Sequence, residues 1–357
     1  MDMALNPGTE RPIRLAFANL VVGQFRIPKH PGDRGLGTFN DGLTRSDKGD
    51  SERDSLEFRM RLSEIEKVAG VLVDRDGEFH SIGFVNERRT KLLVFLESPR
   101  FLSAVRRNES VSAVITTPEL ANAIRPELGV ASCRQPRVAF AKLHNELARC
   151  GFYWKNFPTA IDPAAQVHPT AWIAERNVRI GAGSIVEPHA TVLERCLIGE
   201  SVVVGAGVVL GGVGFQTVRC AAEKMEMKHA GGLLVHDRVR ILPGAVIATG
   251  VFHQPTSIGE DTRIGANAFV SHAVQAGSSV FIGHGAVING NVTIGDDTWI
   301  GPGAVISQSL HIGERGFVSL GAVVIRDLAA GARVSGNFAL PHRRLMRMIA
   351  GFGSGRR

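Results

Sequence analysis

The 357-residue sequence is short of aromatic residues, which make up 6% of it with a single Tyr and three Trp, while it holds 41 glycines. Few rings and many glycines argue against a helical or doubly wound enzyme and for tight turns stacked in series. Cysteine is scarce too: Cys133, Cys150, Cys196 and Cys220 show no CxxC spacing, so each is read as a reduced, structural thiol. Histidines and carboxylates nowhere fall at metal-ligand spacing, and no metal is expected. Neither a signal peptide nor a run of eighteen apolar residues opens the chain. That predicts a cytoplasmic protein with, at most, peripheral contact with a membrane. Acidic residues are missing from 342–357, which carries Arg343, Arg344, Arg347, Arg356 and Arg357. Such a segment is either a solvated tail or an attractor of phosphates, an acidic carrier or a membrane surface. Basic residues are not interleaved with aromatics, which argues against nucleic acid as a partner.

The length suits two domains plus tails. Residues 1–52 contain Pro7, Pro12, Pro28 and Pro31 and a polar, glycine-rich run, and are expected to be a flexible extension. Residues 53–156 read as an α+β domain. In it "FRMRLSEIEKVAG" forms an amphipathic helix with Leu62, Ile65 and Val68 on one face and Gly70 as its stop. Strands follow at "VLVD", "KLLVFL" and "SAVITT", and Pro136 opens a second helix. Residues 333–357 form the basic tail, with a possible helix.

Between them, residues 157–332 change period to six. Ile161, Val167 and Ile173 lead, and Ile180, Val186, Val192, Ile198, Val204 and Leu210 follow. An excursion at 211–234 interrupts the series before Val235, Ile241 and Ile247, and a one-residue contraction after His253 brings Ile258. From Ile264 through Val270, Ala276, Ile282 and onward to Ala330 the spacing never breaks. Six residues make a short strand and a turn, so three units close one triangular coil of a parallel β-helix. The aliphatic residue points inward, and the glycine after it is read as relieving the backbone at the corner. Stacked coils bury a core with or without catalysis, so departures from the repeat are where a site is sought. His272, two residues after inward Val270, is expected to emerge near a turn, as a general base or as a corner histidine. His253 and His284 have similar claims.

The motifs add a resemblance. "LSEIEKVAG", "LVFLESPRF", "SAVITT", "RQPRVAFAKL", the "LGGVGF" loop at 210–215 and "VSHAVQAG" resemble the UDP-3-O-(3-hydroxyacyl)glucosamine N-acyltransferases of lipid A biosynthesis. That resemblance implies a uridine-binding domain followed by a left-handed β-helix, a homotrimer, and transfer of an acyl group to the amine of a UDP-amino sugar. It implies no bound cofactor; the co-substrate is an acyl-carrier-protein or coenzyme A thioester. It places the catalytic base on His272 and the uracil between Phe95 and Phe101, where an aromatic ring can cover either face of a pyrimidine; both Phe are otherwise ordinary core residues. Gly214 and Phe215 fall in the family's loop, and a glycine of "FIGHG" at 281–285 is a candidate oxyanion donor. A second family histidine falls on Ser309, the Gln three residues before the base becomes Phe269, and "TGVF" at 249–252 replaces an acidic segment. The ending resembles the "VxGNPA" of coenzyme A-dependent acetyltransferases with Phe338 in place of Pro. Two other readings therefore stand: a coenzyme A-dependent acetyltransferase on a nucleotide sugar or other small amine or alcohol, and a non-catalytic nucleotide-sugar-binding scaffold.

Overall fold

A computed structural model describes residues 59–87, 89–220, 223–336 and 341–353. The expected extension at 1–52 and Phe338 lie outside the described residues. The chain divides into two compact units, the first running to Lys155 and including Val218–Met225, the second made of Asn156–Thr217 and the residues from Glu226 onward.

In the first unit a five-stranded sheet runs in the order Leu72–Arg75, Gly129–Ser132, Val111–Thr116, Leu92–Leu96, Ser81–Ile82. The first pair is antiparallel and the remaining pairs are parallel. Leu92, Val94, Leu96, Val114 and Val130 form its core with Val105 of the helix Leu102–Arg107. Near-continuous apolar runs such as "LLVFL" suit a strand flanked on both sides and buried on both faces. The first helix is shorter than its hydrophobic period suggests. It spans Leu62–Ala69, buries Leu62, Ile65 and Ala69, and leaves Val68 half-buried, while Met60–Arg61 pairs as a strand with Glu78–Phe79. The cause is local: the Glu64 side chain accepts the Arg61 N–H at 2.6 Å and starts the helix there. Pro136–Arg149 forms the long helix, with Pro136 in its first turn.

The second unit is a left-handed parallel β-helix with three faces. Its strands of two to four residues stack into sheets of eight, nine and eight, opened in chain order by Ala160–Ile161, Gln166–Val167 and Trp172–Ile173. Every neighbouring pair among the described residues is parallel, as in Val270 against Ile288 and Ile288 against Ile306, and the register shifts between Leu210 and Gly212, where the excursion begins. The six-residue series from Ile180 to Val324 is buried throughout and forms one continuous core. Two residues before many of these positions lies a second buried side chain, Ala268, Ala286 and Ala304 among them, as the strand's period of two requires. Ile161 is half-exposed because it belongs to the first coil.

Two readings of the repeat are corrected. Ala330 is exposed, and Leu328 takes the inward place after Val324, bridging to Ile312. A Leu fills volume that an Ala would leave empty, so the register slips at the last coil. The glycine after the aliphatic residue does not relieve a left-handed conformation either. It admits the next coil: a Cβ on Gly265 would meet the His284 N at 2.4 Å, and one on Gly283 the Pro302 N at 2.4 Å. The left-handed positions lie two residues later, at Asn267, Ala273, Ser279, Gly285 and Asn291, again every six residues.

Because Ile288 is fully buried between two coils, Ile288→Ala is expected to destabilise the protein by about 2–5 kcal/mol. A lowered denaturant midpoint on the far-UV signal is the measurement.

Candidate active site

The irregularities converge on one corner. The turns from the third face to the first contain the 211–234 excursion, the contraction at 249–255, His272, Gly290 and Ser309 in successive coils. His284 lies on the corner between the second and third faces, where its exposed ring accepts the Ala266 N–H at 2.9 Å. The "FIGHG" glycines share that other corner, so the glycines against the candidate base are different ones.

The excursion leaves the coil after Leu210, with Gly211 at φ 85°. Thr217–Cys220 and Glu223–Glu226 pair as a hairpin, and the chain rejoins the first face at Leu233. Its return leg is held from two coils. Arg195, from the coil before, donates from its guanidinium to the carbonyls of Gly231 at 3.1 Å and His229 at 2.8 Å. From the coil after, the carbonyls of Val251 and Gly250 accept the N–H groups of Ala230 and Gly231 at 3.0 and 2.9 Å.

This clamp brings His229 to His272. The two rings meet edge to face, with centroids 5.5 Å apart and planes at 66°, and His229 Nε2 accepts the Gly214 N–H at 3.0 Å. His272 is only 6% exposed. The expectation that it emerges at a turn is thus half right: it leaves the aliphatic core but is buried beneath the excursion. Two glycines make its slot, since a Cβ on Gly214 would stand 2.9 Å from His272 Cδ2 and one on Gly290 2.2 Å from Cε1. The His272 carbonyl accepts the Asn291 N–H at 3.0 Å, which holds the turn, while its buried Nδ1 has no hydrogen-bond partner among the described residues. Burial alone pushes the imidazole below its ordinary pKa, so at pH 7 the ring is neutral and can accept a proton.

Sequence reasoning missed His229 and Arg195. The signal was available in the excursion, the longest break in the repeat, but which of its side chains folds back is a matter of tertiary contact. His253 is half-buried in the contraction one coil before His272, and Phe215, one residue beyond Gly214, is 93% exposed. Cys196 is a core thiol pushed up to about 12 by burial, which removes it as a nucleophile. Among the described residues no group of three or more His, Cys, Asp or Glu is arranged to hold a metal ion.

In the first unit, half-buried Phe95 is the penultimate residue of the strand Leu92–Leu96 and half-exposed Phe101 ends the 3-10 turn Pro99–Phe101. Phe95 packs on Phe140 with centroids 5.0 Å apart, and the Arg137 guanidinium lies 5.4 Å from its centroid while pairing with Glu97 at 3.0 Å. Arg100 lies 5.4 Å over Phe101. Neither guanidinium was singled out from the sequence, although Arg100 stands in "LVFLESPRF" and Arg137 in "RQPRVAFAKL", because only the fold lays them over the rings.

The fold of the second unit is a hexapeptide-repeat β-helix, and the family model "Bacterial transferase hexapeptide (six repeats)" matches residues 177–212 and 277–308. Within that class, the curated matches support the family that the motifs resemble. A UDP-3-O-acylglucosamine N-acyltransferase from Paracidovorax citrulli is 28% identical over 211 residues, covering 54% of this chain and 61% of that protein. One from Janthinobacterium is 24% identical over 260 residues, covering 61% of this chain and 72% of the relative. Of the solved structures, a UDP-N-acetylglucosamine acyltransferase from Francisella novicida is similar at 21% identity and TM-score 0.38, over 53% of this chain and 73% of that one. The chain spans about three fifths of the length of the Paracidovorax relative.

Proposed function

We propose that this chain is an N-acyltransferase that moves an acyl group from a thioester to the amine of a UDP-amino sugar, in keeping with the names of the proteins it matches. The observation that carries the reading is His272, a buried, neutral imidazole in a slot between two glycines at the one corner where the repeat is broken. Acyl transfer needs such a base. The amine nitrogen attacks the thioester carbonyl, the C–N bond forms, and His272 takes the amine proton as positive charge develops. The tetrahedral intermediate then breaks its C–S bond, and the proton passes to the departing thiolate, so no covalent enzyme intermediate is required.

Phe95 and Phe101 supply flat apolar surface for the uracil, and Arg100 and Arg137 bring two cations to the same rings, the charge that a nucleoside diphosphate requires. The donor's carrier is acyl carrier protein or coenzyme A. Either brings an anionic phosphopantetheine arm, and the helix His342–Gly353 offers Arg343, Arg344 and Arg347 with no acidic residue in it. A homotrimer in the cytoplasm, with at most peripheral membrane contact, belongs to the same proposal; no helix among the described residues is long and apolar enough to cross a membrane.

Mass spectrometry of the products formed from UDP-3-O-acylglucosamine with acyl-carrier-protein and coenzyme A thioesters tests the proposal. A hydroxyacyl mass on the amine supports it, an acetyl mass only from acetyl-coenzyme A moves the chain to the acetyltransferases, and binding without product leaves a nucleotide-sugar scaffold. The lowered His272 pKa also predicts the acid limb of kcat/KM. Activity should persist as pH falls past about 6.5, the ordinary imidazole value, and disappear only below it, because the group must be unprotonated to act.

A further inference from the structure

We propose that His229 is a positioning residue for His272: its Nε2 pins Gly214 by a backbone hydrogen bond and so closes the excursion over the reacting imidazole. The inference rests on His272 being the base, but its geometry is independent of which acyl group or acceptor is used.

The argument starts from who holds whom. The segment around Gly212–Phe215 has little packing of its own, since Val213 is 73% and Phe215 93% exposed. Gly214 nevertheless approaches so closely that any Cβ there would meet His272 Cδ2, His229 Nε2 and Ser271 Oγ at 2.9, 3.1 and 3.2 Å. An exposed glycine-rich strand end does not hold such a position unaided, because glycine loses the most conformational freedom on ordering. Its N–H bond to His229 is the tether. His229 can serve as a post because its own backbone is fixed: its carbonyl accepts from Arg195 at 2.8 Å, and the next two N–H groups bond to Gly250 and Val251. With Nε2 accepting, the neutral His229 ring carries its proton on Nδ1. The ring itself walls the slot, edge to face with His272.

What this does for catalysis is exclude water from one side of His272 and fix the ring plane. The titratable side chain facing that ring is His229, from the excursion. Ser271, Gly214 and Gly290, which supply the other close neighbours, are uncharged, and no carboxylate or cation contributes to the depression of the His272 pKa. His253 is the other histidine of this corner, one coil earlier.

Two variants of the full chain separate positioning from mere packing. His229→Gln retains an acceptor that can reach the Gly214 N–H; His229→Ala does not. The first readout needs no activity: the rate at which diethyl pyrocarbonate modifies His272, followed by peptide mass spectrometry. We expect His229→Ala to raise that rate at least tenfold and His229→Gln to leave it within about threefold of the parent. The second is the pH profile of acyl transfer, in which His229→Ala should lower kcat more than it raises KM and move the acid limb up toward the ordinary imidazole value, with His229→Gln restoring both. Modification of His272 at the parental rate in His229→Ala overturns the proposal, as does equal loss in both variants. If the parent transfers no acyl group at all, the acyltransferase reading fails while the labelling experiment still decides the role of His229.

Discussion

His272→Ala is expected to lower kcat by about 10²–10⁴-fold, the usual contribution of a positioned general base, while Tm stays within about 2–4 °C of the parent. The two effects separate because the ring stands outside the aliphatic stack. Val270 and Ile288, two residues before His272 and Gly290, remain paired across the coils and fully buried. Among the described residues the imidazole's Nδ1 has no hydrogen-bond partner, so truncation removes a costly unsatisfied atom together with the ring's packing. Steady-state kinetics at saturating substrate and a thermal melt are the measurements. Near-parental turnover would remove His272 from its role, and a collapsed melt would make it structural.

Gly290→Ala should cost about 10²-fold in kcat, although it adds one methyl group in the following coil. That methyl would stand 2.2 Å from His272 Cε1, 2.6 Å from Nε2 and 2.8 Å from Nδ1, all on one side chain. Gly290 is not among the residues with positive φ, so the backbone accepts alanine without strain and the whole clash falls on the imidazole. The ring must move by an ångström or more, and a displacement of that size is enough for a loss of this order. Kinetics of the variant, with its circular dichroism compared to the parent, check it. A normal kcat in a folded variant would mean that the ring works from elsewhere.

Much of the second unit was legible without coordinates. A strict six-residue recurrence of Ile and Val leaves few solutions, because a parallel coil is the arrangement that turns such a period into a buried column. The same reading failed at Ala330, where the spacing persists but Leu328 occupies the core. A small apolar residue satisfies a pattern as well as a large one does, and only volume discriminates between them. In the first unit the helices opened by Leu62 and Pro136 were visible as amphipathic runs, whereas Glu78–Phe79 and Ser81–Ile82 are two-residue strands with too few positions to show alternation.

The candidate site divides along the same line. His272 stood out by position and motif, and the excursion by the length of the break, both being properties of order along the chain. That His272 is covered rather than emergent, that the glycines of its slot are Gly214 and Gly290 rather than those of "FIGHG", and that His229 and Arg195 belong to the same corner are properties of tertiary contact. Gly214 and Gly290 lie 76 residues apart in sequence and both border one ring. The sequence by itself therefore determined the coil, its period and the corner where the period breaks, since these follow from local hydrophobic spacing. Only the tertiary structure decided which groups meet at that corner, because stacking coils of unequal length brings together residues that no periodicity relates.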